Sequence, residues 1–228
     1  MDNREYAKCY IAFLDMLGFK NIISQSICED ICTVFDNIKK PFSSAQLDEE
    51  HLITEDTIKA LNIKVMSDSI CFYIEVKHAN ALIALLTSCA MFQMNLLKLP
   101  TPVLLRGGVV CGDMYAKQDV IFGPGLTYAY LMEEHNAKYP RIILTNEVLS
   151  YARQEDDTFL TTFIDNNIIF RDFDAFYTLN YLQMLSRSDR KCFKGFRQKI
   201  EQTLDTTTDE SIREKYLYLE KILKNLKP

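Results

Sequence analysis

Apolar residues follow two rhythms along the chain, one of period two suited to strands and one near 3.6 suited to helices. Residues 8–15, KCYIAFLD, are a short β-rich apolar run that ends on an acid. The run meets Met16-Leu17-Gly18-Phe19, the pattern of a strand entering a tight turn. From about 20 to 39, Ile22, Ile23, Ile27, Ile31, Val34, Phe35 and Ile38 recur at helical spacing, and Pro41 stops the helix they predict. Residues 42–57 are polar and acidic and read as a surface loop or insertion. Residues 61–75, LNIKVMSDSICFYIE, predict two strands folded back at Ser67-Asp68-Ser69.

A long amphipathic helix is predicted over about 78–98. Pro102 then opens VLLRGGVVCGDMY, a strand in which Gly107 and Gly108 permit close backbone packing. DVIFG predicts a further strand, Pro124 a helix start followed by TYAYLMEEHNAK, and RIILT after Pro140 a short buried strand. Past residue 157 two β-like runs, TFLTTF and NIIFRDF, precede helices over about 188–203 and 208–226, the second starting at TTTDES. The order β-α-β-β-α-β-β-α-β places the chain in the α+β class. Its βαββαβ core implies a ferredoxin-like, antiparallel-rich sheet with helices on one face. Residues 1–155 read as the catalytic domain, and 156–228 as a C-terminal helical extension packed on the same domain.

That order gives two acids a shared address. Asp15 ends the first strand and Asp68 sits in the hairpin between the second and third. In such a sheet the first strand lies beside that hairpin, so both carboxylates reach one end of the sheet. Hard carboxylate oxygens suit Mg²⁺ or Mn²⁺, which keep other positions for water and phosphate. Two such ions about 4 Å apart activate a hydroxyl and neutralise a transferring phosphoryl group. The backbone N–H groups of residues 16–19, with Gly18 allowing close approach, can face phosphate oxygens. The plain alternative is that Asp15 caps a helix and Asp68 forms a turn.

Composition narrows the remaining classes. A chain of 228 residues that is 48% hydrophobic and 25% charged can bury a core, which excludes disorder. A formal net charge of −5 argues against a general nucleic-acid binder, so a polyphosphate ligand needs local cations. Seven cysteines, mostly inside apolar runs, point to thiols in a reducing compartment rather than a disulfide framework. Cys28 and Cys32 are one helical turn apart, without a second pair to complete a zinc set. MDNREYAK lacks the apolar core of a signal peptide, and no stretch reaches the length of a membrane span, so the reading is cytoplasmic. His51, His78 and His135 have no metal or dyad spacing, Gly123-Pro124-Gly125 lacks the Lys of a Walker loop, and Ser67 and Ser69 lack a base partner. Phe170, Phe173, Phe176, Tyr177 and Tyr181 are expected to pack the tail on the sheet or to form part of a dimer face.

Five segments, in order, resemble the class III nucleotide cyclase catalytic domain: FLDMLGF (13–19), IKVMSDSICFY (63–73), LRGGVVCGDMY (105–115), FGPGLTYAYLME (122–133) and PRIILT (140–145). The resemblance spans about residues 8–150. It implies that Asp15 and Asp68 bind two metal ions, Mn²⁺ or Mg²⁺, with the Met16 carbonyl as a further ligand. It also implies that Met16, Leu17, Gly18 and Phe19 cradle a triphosphate, and that a homodimer shares its active sites. The departures are specific. The family's transition-state Asn and Arg fall on Thr127 and Leu131, and its base-reading Lys falls on Lys64 with the acidic partner position on Val120, beside Asp119. Arg106, Arg141 and the cluster Lys191, Lys194 and Arg197 are candidates for the missing cation. For Arg106 and Arg141 the plain reading is a structural ion pair, and for the cluster a solvated helix face.

These departures, with GFK after the first Asp and the AY-L-ME…YPRI run, resemble the pyrimidine nucleotide cyclases of bacterial anti-phage systems. That subgroup implies conversion of UTP or CTP to a 3′,5′-cyclic monophosphate that activates a separate effector, with no nucleic acid or membrane involved. Lys64 keeps a purine cyclase open, and loss of the Asn/Arg pair keeps a non-catalytic nucleotide-binding domain open.

Overall fold

A computed structural model describes residues 5–25, 27–39, 53–155 and 157–227. Strand β1 (Ala7–Leu17) leads into helices α1 (Phe19–Gln25) and α2 (Cys28–Lys39). A short helix α3 (Glu55–Ala60) precedes the hairpin of β2 (Asn62–Met66) and β3 (Ser69–Glu75). Helix α4 (Ala81–Leu97) then leads to β4 (Leu104–Lys117), which folds back into β5 (Val120–Phe122). Helix α5 (Pro124–Asn136), β6 (Ile142–Leu144), α6 (Asn146–Glu155) and α7 (Asp157–Asp165) follow. The chain closes with β7 (Ile169–Arg171), β8 (Tyr177–Leu179), α8 (Tyr181–Ser188), α9 (Arg190–Thr206) and α10 (Glu210–Lys224).

The strands join in the order β2-β3-β1-β4-β6-β8-β7, with β5 paired to β4. Within it, β2-β3-β1-β4 is the antiparallel sheet expected of a βαββαβ unit. Strand β6 adds parallel to β4, and β8 and β7 extend the sheet antiparallel. Because side chains alternate across a strand, β1 sends Tyr10, Ala12, Leu14 and Met16 into the core under α4. Cys9, Ile11 and Phe13 enter a smaller core on the opposite face, under α5. A strand buried on both faces reads as a continuous apolar run, which is how 9–14 appears in the sequence.

Helix α5 crosses β4 at two glycine contacts. A Cβ on Gly108 would lie 2.7 Å from Met132 Cβ, and one on Gly112 would lie 2.6 Å from Gly125 Cα. Larger residues there would lift the helix off the sheet.

Several predicted elements differ. The single helix over 20–39 is two, α1 and α2, with residue 26 outside the described residues. Of the polar 42–57 segment, 42–52 lie outside the described residues, and the end is helical. Thr54 caps α3 by accepting from the Thr57 N–H at 3.2 Å, and Glu55 and Asp56 favour its first turn. The helix predicted over 78–98 starts only at Ala81, after Asn80 in the left-handed region at φ 56°, and it is not amphipathic. It packs on β3 and β1 and on α8 and α2, so twelve of its seventeen residues are buried. TFLTTF is part of helix α7, not a strand. Leu160, Phe163 and Ile164 pack on the core at helical spacing, and this burial overrides the β-propensity of Thr and Phe. NIIFRDF yields only β7, and β8, a strand not predicted from the sequence, sits between β6 and β7.

Candidate functional site

Three strands deliver the candidate residues to one end of the sheet. Asp15 lies opposite Ser69 of β3 on one side and Arg106 of β4 on the other. Ser67 takes the left-handed conformation, φ 60°, that turns the β2–β3 hairpin, and Asp68 follows it. The Met16 N–H donates to the Asp68 carbonyl at 3.0 Å, so the hairpin turn is tied to the end of β1. The two acids foreseen as partners are therefore neighbours. Asp15 has the strand parity of Phe13 and faces the α5 side of the sheet.

Arg106 and Glu133 complete the group. The Arg106 Nε–H donates to Asp15 Oδ2 at 3.1 Å, and the same nitrogen lies 2.8 Å from Glu133 Oε1. That Glu133 oxygen is buried and, among the described residues, accepts no hydrogen bond. Glu133 was missed in the sequence. Its signal is that an acid falls on the sheet-facing stripe of α5 with Gly125, Ala129 and Met132, where apolar residues belong. Burial pushes its carboxyl up to about 7; Arg106 opposes the rise, and Asp15, Glu134 and Asp68 add to it. Two carboxylates, Asp15 and Glu133, thus share one guanidinium, and Asp68 adds negative charge nearby.

A pH effect follows from the raised Glu133 pKa. Between 4.5 and about 7 the folded chain holds a proton on Glu133 that the unfolded chain releases. The stabilisation is complete below that window and is lost as pH rises through it, amounting to at most about 3 kcal/mol. In melting-temperature scans from pH 5 to 8, the wild-type chain is expected to lose stability relative to Glu133→Gln as pH rises. Parallel curves would contradict the assignment.

The other candidates are spread over the fold. Met16 and Phe19 are buried, Phe19 edge-on to Phe35 with ring centroids 5.7 Å apart, while Leu17 is half-buried. Gly18 turns the chain at φ 77°. Lys64 donates to the Gln118 carbonyl at 2.7 Å and lies 3.3 Å from Asp119, so the tip of the β4–β5 hairpin is latched onto edge strand β2. The neighbour of the anticipated Val120, rather than Val120 itself, is the acid that meets Lys64. Thr127 is exposed and returns its hydroxyl to the Gly123 carbonyl at 3.3 Å, and Leu131 is also exposed. Lys194 lies with Lys191 and Arg197 on the solvent side of α9, and Arg197 pairs with Glu201 of its own helix. No described contact joins that cluster to Asp15 or Asp68.

Arg141 is structural, not a free cation. It is 2% exposed and bonds Asp172 at 2.7 Å, Asp174 at 3.0 Å and the Asn136 carbonyl at 3.2 Å. No disulfide joins any of the seven cysteines. No helix among the described residues is long and apolar enough to cross a membrane.

Asp15 and Asp68 are the carboxylates at this sheet end that could hold a divalent cation. Among the described residues no group of three or more His, Cys, Asp or Glu side chains is placed to hold a metal ion. Two carboxylates at a sheet end, in excess negative charge, leave coordination positions for water and phosphate, the arrangement Mg²⁺ and Mn²⁺ take.

No family model matches the sequence, and no curated protein matches it. Among solved structures, the chain is similar to the monomeric guanylyl cyclase domain of the RhoGC fusion protein from the aquatic fungus Blastocladiella emersonii. The identity is 11%, covering 66% of this chain and 88% of that one, with a TM-score of 0.48. It is also similar to the adenylyl cyclase CyaB from P. aeruginosa, at 14% identity over 77% of this chain and 94% of that one, with a TM-score of 0.47. A third, the adenylate/guanylate cyclase/hydrolase from Silicibacter pomeroyi, is 17% identical over 66% of this chain and 83% of that one, with a TM-score of 0.43.

Proposed function

We propose that the chain is a nucleotide cyclase that converts a pyrimidine nucleoside triphosphate, UTP or CTP, to its 3′,5′-cyclic monophosphate and pyrophosphate. The observation that carries this reading is the meeting of Asp15 and Asp68 at one end of a βαββαβ sheet, with Arg106 between Asp15 and Glu133. The ordered motifs of residues 13–19, 63–73, 105–115 and 122–133 support the same chemistry.

In this proposal Asp15, Asp68 and the Met16 carbonyl hold Mn²⁺ or Mg²⁺. When bound, the ions supply Lewis acidity to the α-phosphate and lower the pKa of the ribose 3′-hydroxyl. Past Met16, whose N–H is held by the Asp68 carbonyl, residues 17–19 offer backbone N–H groups at the strand–helix turn for the triphosphate. Arg106, the guanidinium beside the carboxylates, offsets charge on the phosphates. Lys64 is suited to the base, because its ammonium already sits between two acceptors and can present a donor. The chain works as a homodimer with shared sites. Support comes from exposed apolar side chains on β5 and α5: Val120, Phe122, Tyr128, Tyr130 and Leu131. Its product acts on a separate effector in anti-phage defence.

The pyrimidine preference rests on the departures at Thr127, Leu131 and Val120 together with the GFK and AY-L-ME…YPRI segments, which resemble the pyrimidine cyclases. One observation favours a purine instead: the Lys64–Asp119 contact supplies the donor and acceptor that an adenine edge would need. A single reaction with ATP, GTP, CTP and UTP in equal amounts and Mn²⁺, read by mass spectrometry, separates them. A cyclic pyrimidine product is expected. A cyclic purine product would overturn the base assignment and leave the cyclase reading in place.

A further inference from the structure

We infer that Glu133 is a positioning residue that draws Arg106 off Asp15, so that Asp15 becomes available to a divalent cation. This inference rests on the reading of Asp15 and Asp68 as cation ligands. Arg106 has one Nε–H and two carboxylates within reach of it. Asp15 holds the hydrogen bond at 3.1 Å, while Glu133 Oε1 approaches the same nitrogen more closely, at 2.8 Å, with its accepting capacity unused. The guanidinium is thus poised between two acceptors, and only one of them is needed for a cation.

The energetic case follows from burial. A cation at Asp15 repels the guanidinium and takes the oxygen lone pairs that the Nε–H now uses. The Arg106 side chain is only 31% exposed, so leaving it without a carboxylate carries a desolvation penalty. Glu133, whose side chain is 6% exposed, removes that penalty by accepting the Nε–H after a small rotation. Without Glu133, the Asp15–Arg106 pair competes directly with the cation. Glu133 is a buried acid on the sheet-facing stripe of α5, where an apolar residue would stabilise the helix more, and Arg106 is the cation it meets there.

Mn²⁺ binding to the nucleotide-free full-length chain, followed by the electron paramagnetic resonance signal of free Mn²⁺, tests this through four proteins. They are the wild type, Glu133→Gln, Arg106→Gln and the double variant, each checked for a native melting transition. Glu133→Gln is expected to weaken Mn²⁺ binding about tenfold. The same change in the Arg106→Gln background is expected to alter it less than about twofold. Arg106→Gln alone is expected to bind Mn²⁺ at least as tightly as the wild type, a result that does not depend on Glu133→Gln folding. Equal weakening in both backgrounds would mean that Glu133 acts by its own charge and would overturn the inference, as would weaker binding in Arg106→Gln. Failure of the wild type itself to bind Mn²⁺ is a separate outcome, which removes the cation reading of Asp15 and Asp68 together with the inference.

Discussion

Asp68→Ala is expected to leave a folded chain whose cyclising turnover is at least about 10²–10³-fold lower than the wild type. The separation of fold from activity has a physical basis. The hairpin is held to β1 by the β1–β3 ladder and, at its turn, by the Asp68 carbonyl, which accepts from the Met16 N–H at 3.0 Å and survives the substitution. The left-handed residue of the turn is Ser67, not Asp68, so alanine meets no backbone strain. Only the carboxylate is lost. Turnover measured at saturating Mn²⁺, beside the melting temperature, checks both halves. Wild-type turnover in Asp68→Ala would sink the two-carboxylate site, and loss of the melting transition would contradict the purely chemical role assigned to the side chain.

Arg141→Leu should be the most damaging change to stability, by about 3–5 kcal/mol. Burial works against the Arg141 charge, but Asp174 and Asp172 more than compensate and hold its pKa above the ordinary arginine value. Asp172, whose side chain is 3% exposed, also accepts from the Tyr218 hydroxyl at 2.7 Å. The rings of Tyr139 and Tyr218 stack 4.8 Å apart, each facing the guanidinium. One side chain therefore joins the start of β6, the β7–β8 turn and α10. Replacing it with an apolar residue strands two carboxylates, one fully buried, and loosens the anchor of the C-terminal helices. For a chain of this size each kcal/mol corresponds to roughly 2–4 °C, so a melting-temperature drop of about 6–20 °C is expected. A drop under 2 °C would contradict the structural assignment of Arg141. Turnover per folded molecule should change little, because Arg141 lies outside the carboxylate cluster.

The parts of this site that were legible in the sequence are those set by strand order. Once 61–75 reads as a hairpin and 8–15 as a strand, the βαββαβ order brings Asp15 and Asp68 to the same sheet end. Glu133 was not legible in that way. Its role depends on how α5 sits on β4, through the glycine contacts at Gly108 and Gly112, and a helix rotation is not written in strand order. The Lys64–Asp119 contact was hidden for a similar reason. It requires β4 to run long enough to carry its hairpin tip across to β2, and strand length is poorly marked where DMYAKQD is polar. The tail was read least well. Residues 158–163 carry β-prone Thr and Phe, yet the apolar positions that reach the core repeat at helical spacing. Three-residue strands such as β7 and β8 are too short for alternation to register.

The reaction class is tested most directly by the products that the purified chain forms from nucleoside triphosphates with Mn²⁺, identified by mass spectrometry with pyrophosphate measured in parallel. The account predicts a 3′,5′-cyclic monophosphate and one pyrophosphate per substrate consumed, both lost in Asp68→Ala. A linear dinucleotide, a nucleoside diphosphate with inorganic phosphate, or no turnover of any of the four triphosphates would contradict it.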